Sequence, residues 1–75
     1  MIKYEDALRI AKEHKPNIDY CNEETLAWIF SSKEDEHHIG GDGPIVIIKR
    51  TGEVLNMPTY VIENPYAKEV GEWEL

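Results

Sequence analysis

The chain has 75 residues, of which 15 are acidic and 8 basic, for a formal net charge of −7. A chain this short makes one domain and buries only about 60% of its unfolded surface, so a deep enclosed active site is hard to build on it. The charge repels nucleic acid and anionic membrane and favours basic partners, although an acidic surface also serves plain solubility.

Tyr4 to Lys15 reads as an amphipathic helix. Tyr4, Ala7, Leu8 and Ala11 share a face, with Ile10 and His14 on its shoulders. Glu5 and Asp6 fall in the first turn and Lys12, His14 and Lys15 in the last, the order the helix dipole prefers. Pro16 pushes Lys15 out of the helical region and stops the helix.

Ile18 to Asn22 alternates weakly and predicts a short strand, with Glu23-Glu24 as a polar turn. Leu26 to Ser31 predicts a stronger one. Leu26, Trp28 and Phe30 lie on one face and Ala27 and Ile29 on the other, which places this strand inside the sheet. Ser32 to Gly43 is a polar loop, Lys33-Glu34-Asp35-Glu36-His37-His38 followed by a glycine-rich run. Pro44 to Leu55 then reads as a hairpin. Ile45 to Ile48 are four β-branched residues in a row, a strand buried on both faces, and Gly52 suits the left-handed position of a tight turn. Pro58 should end the return strand, because it has no N–H for the ladder.

Beyond Pro58 the pattern is mixed. Thr59-Tyr60-Val61-Ile62 looks β-like but short. Asn64-Pro65 resembles a helix start, with Gly71 capping a segment from Pro65 to Val70. The expected fold is therefore α+β: an N-terminal helix on a three- or four-stranded antiparallel sheet, with a short C-terminal helix, all within residues 1–75. One helix covers one sheet face. The C-terminal segment, a second copy or a partner must cover the other.

Cys21 is the single cysteine, so no intramolecular disulfide forms, and a lone thiol suits a reducing compartment. No run nears the roughly 20 apolar residues of a membrane span, and Ile2 is followed at once by charge. A cytoplasmic location is expected.

Chemistry-bearing constellations are weak. Adjacent His37 and His38 point oppositely in extended chain and do not converge on one metal ion. His14 is explained by the helix C-terminus it sits at. Cys21 lacks a neighbouring base, and Asp19, Glu23 and Glu24 raise its pKa rather than lower it, so a small buried hydrophobe is the favoured role. Gly40-Gly41-Asp42-Gly43-Pro44 leads into a strand instead of opening a helix and carries an acid, which argues against phosphate binding. Lys49-Arg50, the only basic pair, marks the end of the hairpin strand. No cofactor, metal or catalytic residue is expected. The enzymatic alternative, a small hydrolase using the histidine loop or Cys21, has no legible machinery. Trp28 reads as core, while Trp73, in an acidic tail, suits either sheet packing or a partner contact.

The order of these segments resembles a known family. A helix like Tyr4-Glu5-Asp6-Ala7-Leu8 precedes an aromatic strand like Leu26-Ala27-Trp28-Ile29-Phe30. A Gly-x-x-Pro lead-in, a hydrophobic strand and a Thr-Gly-Glu-Val turn follow between Gly41 and Val54. This is similar to the immunity protein 35 family, small bacterial proteins related to the YrhB-like domain, over about residues 4 to 60. The resemblance implies a non-enzymatic protein that binds and neutralises a cognate toxin, and it supplies no catalytic motif. The chain departs from the family after Pro58, where Pro65 and Gly71 allow only a short helix in place of a longer one. Glu34, Asp35, Glu36, His37, Tyr60, Tyr66 and Trp73, acids of the loop and aromatics of the less regular regions, are the candidate partner contacts. The expected partner is a protein, such as a basic toxin domain. The alternative is a homodimer of unknown role formed through the apolar second sheet face.

Overall fold

A computed structural model describes residues 1–33 and 43–75. The elements in chain order are α1 (Tyr4–His14), β1 (Tyr20–Glu24), β2 (Ala27–Ser31), β3 (Ile45–Ile48), β4 (Val54–Asn56), α2 (Met57–Glu63) and β5 (Glu69–Glu74). The strands form one sheet in the order β4-β3-β2-β1-β5, antiparallel throughout. The α+β class is as the sequence predicts, with five strands rather than three or four.

The first half follows the sequence closely. Lys15 leaves the helical region at φ −147°, as Pro16 requires, after a helix with acids in its first turn and Lys12 and His14 in its last. Ala7 and Ala11 are wholly buried, and their small side chains let α1 lie close on the sheet. Alternation then sorts the central strands. Trp28, Phe30, Ile45 and Ile47 pack with Ala7, Ala11, Ile18 and Cys21 under α1, while Ala27, Ile29 and Val46 point to the opposite face. Gly52, at φ +78°, makes the left-handed turn between β3 and β4.

Three strand boundaries differ in this half, the first being that β1 begins at Tyr20 rather than at Ile18. Glu23 and Glu24 belong to β1, and the turn falls at Thr25 and Leu26. Leu26, expected beside Trp28 and Phe30, is therefore in the turn and 47% exposed. Pairing decides this: Glu23 faces Trp28 across the ladder, so the hairpin continues past the point where the apolar pattern fades.

The C-terminal third is corrected more deeply. Thr59 to Ile62 is helical, within α2, and Pro65 to Val70 is not. Two Asn/Pro signals compete here, and the first one wins. Asn56 caps α2 by accepting a hydrogen bond from the Thr59 N–H at 2.8 Å, with Pro58 in the first turn. A helix of seven residues is too short to persist alone, so tertiary burial must hold it. Tyr60, at 1% exposure, supplies that burial on Ala27, Ile29 and Val46. The second segment instead turns at Pro65-Tyr66 and forms β5, whose Trp73 lies opposite Cys21 in the ladder. The connection from β4 through α2 to β5 thus carries the chain from one sheet edge to the other. Of the three ways to cover the second apolar face, the chain's own C-terminal segment fills it.

Candidate functional site

α2 reaches β3 and β4, so it covers one half of the second face. The other half, over β1 and β5, carries a different set of side chains. Tyr20, Asn22 and Glu24 of β1 pair with Glu74, Glu72 and Glu69 of β5. In an antiparallel ladder directly paired residues share a face, so these six polar groups form one array. A register irregularity between Glu23 and Glu24 makes room for Val70, and it brings Glu69 onto the same side as Glu72.

Asn22 organises the array. Its side-chain amide donates to Glu69 Oε1 at 2.6 Å and to Glu72 Oε2 at 3.1 Å. One amide therefore holds two carboxylates side by side, each with lone pairs left for a donor from outside. Partial burial pushes the Tyr20 hydroxyl above its ordinary value, and a hydrogen bond to Glu72 and the charges of Glu72, Glu69 and Glu74 push it further in the same direction. At the inner margin Tyr60 donates to Glu24 Oε1 at 2.7 Å, which ties the array to α2 and the second core. Burial, then this bond and the carboxylate charge, raise the Tyr60 pKa as well. Chemically the array is a fixed acceptor surface suited to ammonium or guanidinium groups. Among the described residues, no three His, Cys, Asp or Glu side chains are grouped so as to hold a metal ion. Among the described residues, no helix is long and apolar enough to cross a membrane.

Of the residues expected from sequence, the three that are described, Tyr60, Tyr66 and Trp73, are not brought together. Glu34, Asp35, Glu36 and His37 lie outside the described residues, as does His38. Tyr60 is enclosed in the second core. Tyr66 is 91% exposed in the turn between α2 and β5. Trp73 is half-buried on the opposite face from Tyr60. It donates from Nε1 to the Tyr4 hydroxyl at 3.0 Å and meets the Tyr4 ring edge-on at 5.4 Å. Tyr4 also contacts Trp28 and Phe30, at 5.8 and 6.1 Å between ring centres, so Trp73 closes an aromatic cluster under α1. Of the two roles open to Trp73, sheet packing is the one these contacts describe.

Cys21 is wholly buried, and its thiol is pushed up to about 12 by burial and, secondarily, by the charge of Glu23. It is a core residue with no thiolate at neutral pH. Lys49, in the turn after β3, pairs with Glu23 at 2.6 Å and sits 5.1 Å from the centre of the Trp28 ring. Its charge is spent closing the end of the α1 core.

The β5 half of the array left a signal in the sequence. The four acids Glu63, Glu69, Glu72 and Glu74 stand out in the last thirteen residues, and Glu72-Trp73-Glu74 alternates with a period of two. Read as a strand, that tripeptide puts two carboxylates on one face and an indole on the other. The competing Asn64-Pro65 helix signal hid it. No family model, no curated protein and no solved structure matches this chain.

Proposed function

We propose that this chain is a small bacterial immunity-type protein that binds and neutralises a cognate toxin by protein–protein contact. The observation that carries the reading is the carboxylate array over β1 and β5: three glutamates of one strand and one of its neighbour on an open half of the sheet, with Glu69, Glu72 and Glu24 held by hydrogen bonds from Asn22 and Tyr60. Side chains already held in place lose less freedom on binding than free ones do. A net charge of −7 concentrated in this way speeds encounter with a basic partner and disfavours acidic ones. The segment order shared with the immunity protein 35 family over residues 4 to 60 points the same way. The mechanism is steric: the bound chain occludes a functional surface of the toxin and contributes no chemistry.

The homodimer reading rested on an uncovered apolar face. Ile29 and Val46 are buried by α2 within one chain, so that argument no longer supports it.

Affinity capture of the tagged chain from its own cells at low ionic strength, with co-expression of what is retained, tests the proposal. A stoichiometric toxin domain whose toxicity the chain abolishes is the expected result. Failure to retain or neutralise any toxin while the toxin system is demonstrably expressed overturns it.

A further inference from the structure

Beyond the face of the array lies its edge. β5 is the outermost strand, and among the described residues no strand pairs with its outer side. The Leu75 N–H donates inward to the Asp19 carbonyl at 3.0 Å. Backbone groups alternate along a strand, so the N–H and C=O of Trp73 also face β1, and those of Glu72 and Glu74 face outward. Glu72 and Glu74, whose backbone groups face outward, thus also carry two of the three β5 carboxylates that stand on the open face. Between them Trp73 presents a half-buried indole to the other face.

We infer that the outer edge of β5 is a docking rail for an extended partner segment that adds a sixth strand and reads basic–apolar–basic. This rests on the proposed partner-binding role and specifies how the partner engages. A strand laid along β5 exchanges main-chain hydrogen bonds with Glu72 and Glu74. Its residues opposite those two fall on the carboxylate face, where lysine or arginine forms cross-strand charge pairs. Its residue opposite Trp73 falls on the other face, where an apolar side chain packs on the indole. A second copy of this chain does not fit. Two copies related by a two-fold axis through Trp73 set Glu72 of one against Glu74 of the other, twice, on the same face. The charges that prevent self-pairing also select the sign of the partner.

The test uses an extended peptide of alternating lysine and valine, titrated into the isotopically labelled full chain at low ionic strength. A block isomer of the same composition, lysines then valines, is the control. The expected result is that the alternating peptide shifts the Glu72 and Glu74 amide resonances and protects those amides from exchange. It binds roughly tenfold more tightly than the block isomer. N-methylation of alternate peptide amides abolishes binding. The double variant Glu72→Lys/Glu74→Lys, both exposed positions, loses the lysine peptide and gains an alternating glutamate–valine one. Equal binding of the two isomers, shifts confined to another surface, or a β5-mediated dimer of the free chain overturns the inference. The two readings fail separately. Neutralisation of a toxin that survives the double charge reversal refutes the edge alone, whereas edge binding without any captured toxin refutes the neutralising role alone.

Discussion

Replacing Tyr60 tests whether one residue holds the second layer of the fold. The tyrosine is 1% exposed and is the only buried residue of α2. Tyr60→Ala removes a buried aromatic side chain, a change that costs about 3–5 kcal/mol. The whole domain is expected to have roughly 4–11 kcal/mol of stability, from typical per-residue values. The loss is therefore a large fraction of the total, and α2, at seven residues, does not survive without its anchor. Tyr60→Phe keeps the ring and deletes only the bond to Glu24. A hydrogen bond to a charged acceptor contributes about 1.5–3 kcal/mol, and Glu24 is half-exposed and can regain water, so about 1–2 kcal/mol is expected. Urea unfolding followed by tryptophan fluorescence and by circular dichroism measures both changes. The denaturant slope of Tyr60→Ala should also fall, because less surface is buried in what remains. A Tyr60→Ala loss below about 1 kcal/mol would show that the second face is held by something other than α2. A double-mutant cycle of Tyr60→Phe with Glu24→Gln that shows no coupling would remove the hydrogen bond from the account.

Three further outcomes are expected. Gly52→Ala places a side chain at φ +78°, with its Cβ 3.4 Å from Ile2 Cγ2, and should cost about 1–2 kcal/mol in urea unfolding; no loss would mean the turn rearranges freely. Stability should fall on the alkaline side. Cys21 and Tyr60 both hold their protons more tightly in the folded chain, so stability is complete below the ordinary thiol value of 9.0 and declines as pH rises toward about 12. A flat urea midpoint through that window contradicts the burial of both groups. Added salt should raise the urea midpoint near neutral pH by screening the repulsion among Glu69, Glu72 and Glu74, and a midpoint that falls instead would show that the attractive pairs dominate.

Legibility in the sequence followed the strength of the local signals. α1 and the β3–β4 hairpin were readable because period, dipole order, proline stop and glycine turn agree with one another there. The division of Trp28 and Phe30 from Ala27 and Ile29 needed only the two-residue period of a strand. The region after Pro58 was not readable, because its local preferences contradict its final state. Val61 and Ile62 are β-formers in a helix, and Asn64-Pro65 is a helix start that leads to a strand. What decides there is long-range. Tyr60 fits the gap left over β2 and β3, and Trp73 fits beside Tyr4. Neither contact has a signature within ten residues of sequence. The candidate site suffered most, since its carboxylates come from β1 and β5, some 50 positions apart, and only the register unites them.

The same topology changes how binding must be tested. Trp73 and Tyr60 are the natural aromatic residues to truncate in a search for a partner surface, yet each closes a core. Trp73→Ala removes both the bond to Tyr4 and the ring contact at 5.4 Å. Loss of a half-buried tryptophan costs less than the roughly 3–5 kcal/mol of a fully enclosed one, but still a sizeable share of a small domain's stability. A weakened interaction in that variant would report unfolding, not contact. Glu72 and Glu74 have the opposite character. They are exposed, their backbone groups face away from the sheet, and charge reversal there leaves both cores untouched. Glu72→Lys/Glu74→Lys takes the net charge from −7 to −3 (two changes of +2 each) and should leave the chain folded while slowing association with a basic partner and weakening its salt dependence. If instead the double variant binds as fast as the parent at low ionic strength and keeps the parent's salt dependence, the array is only a solvated surface, and the partner-facing surface must be sought elsewhere on the chain.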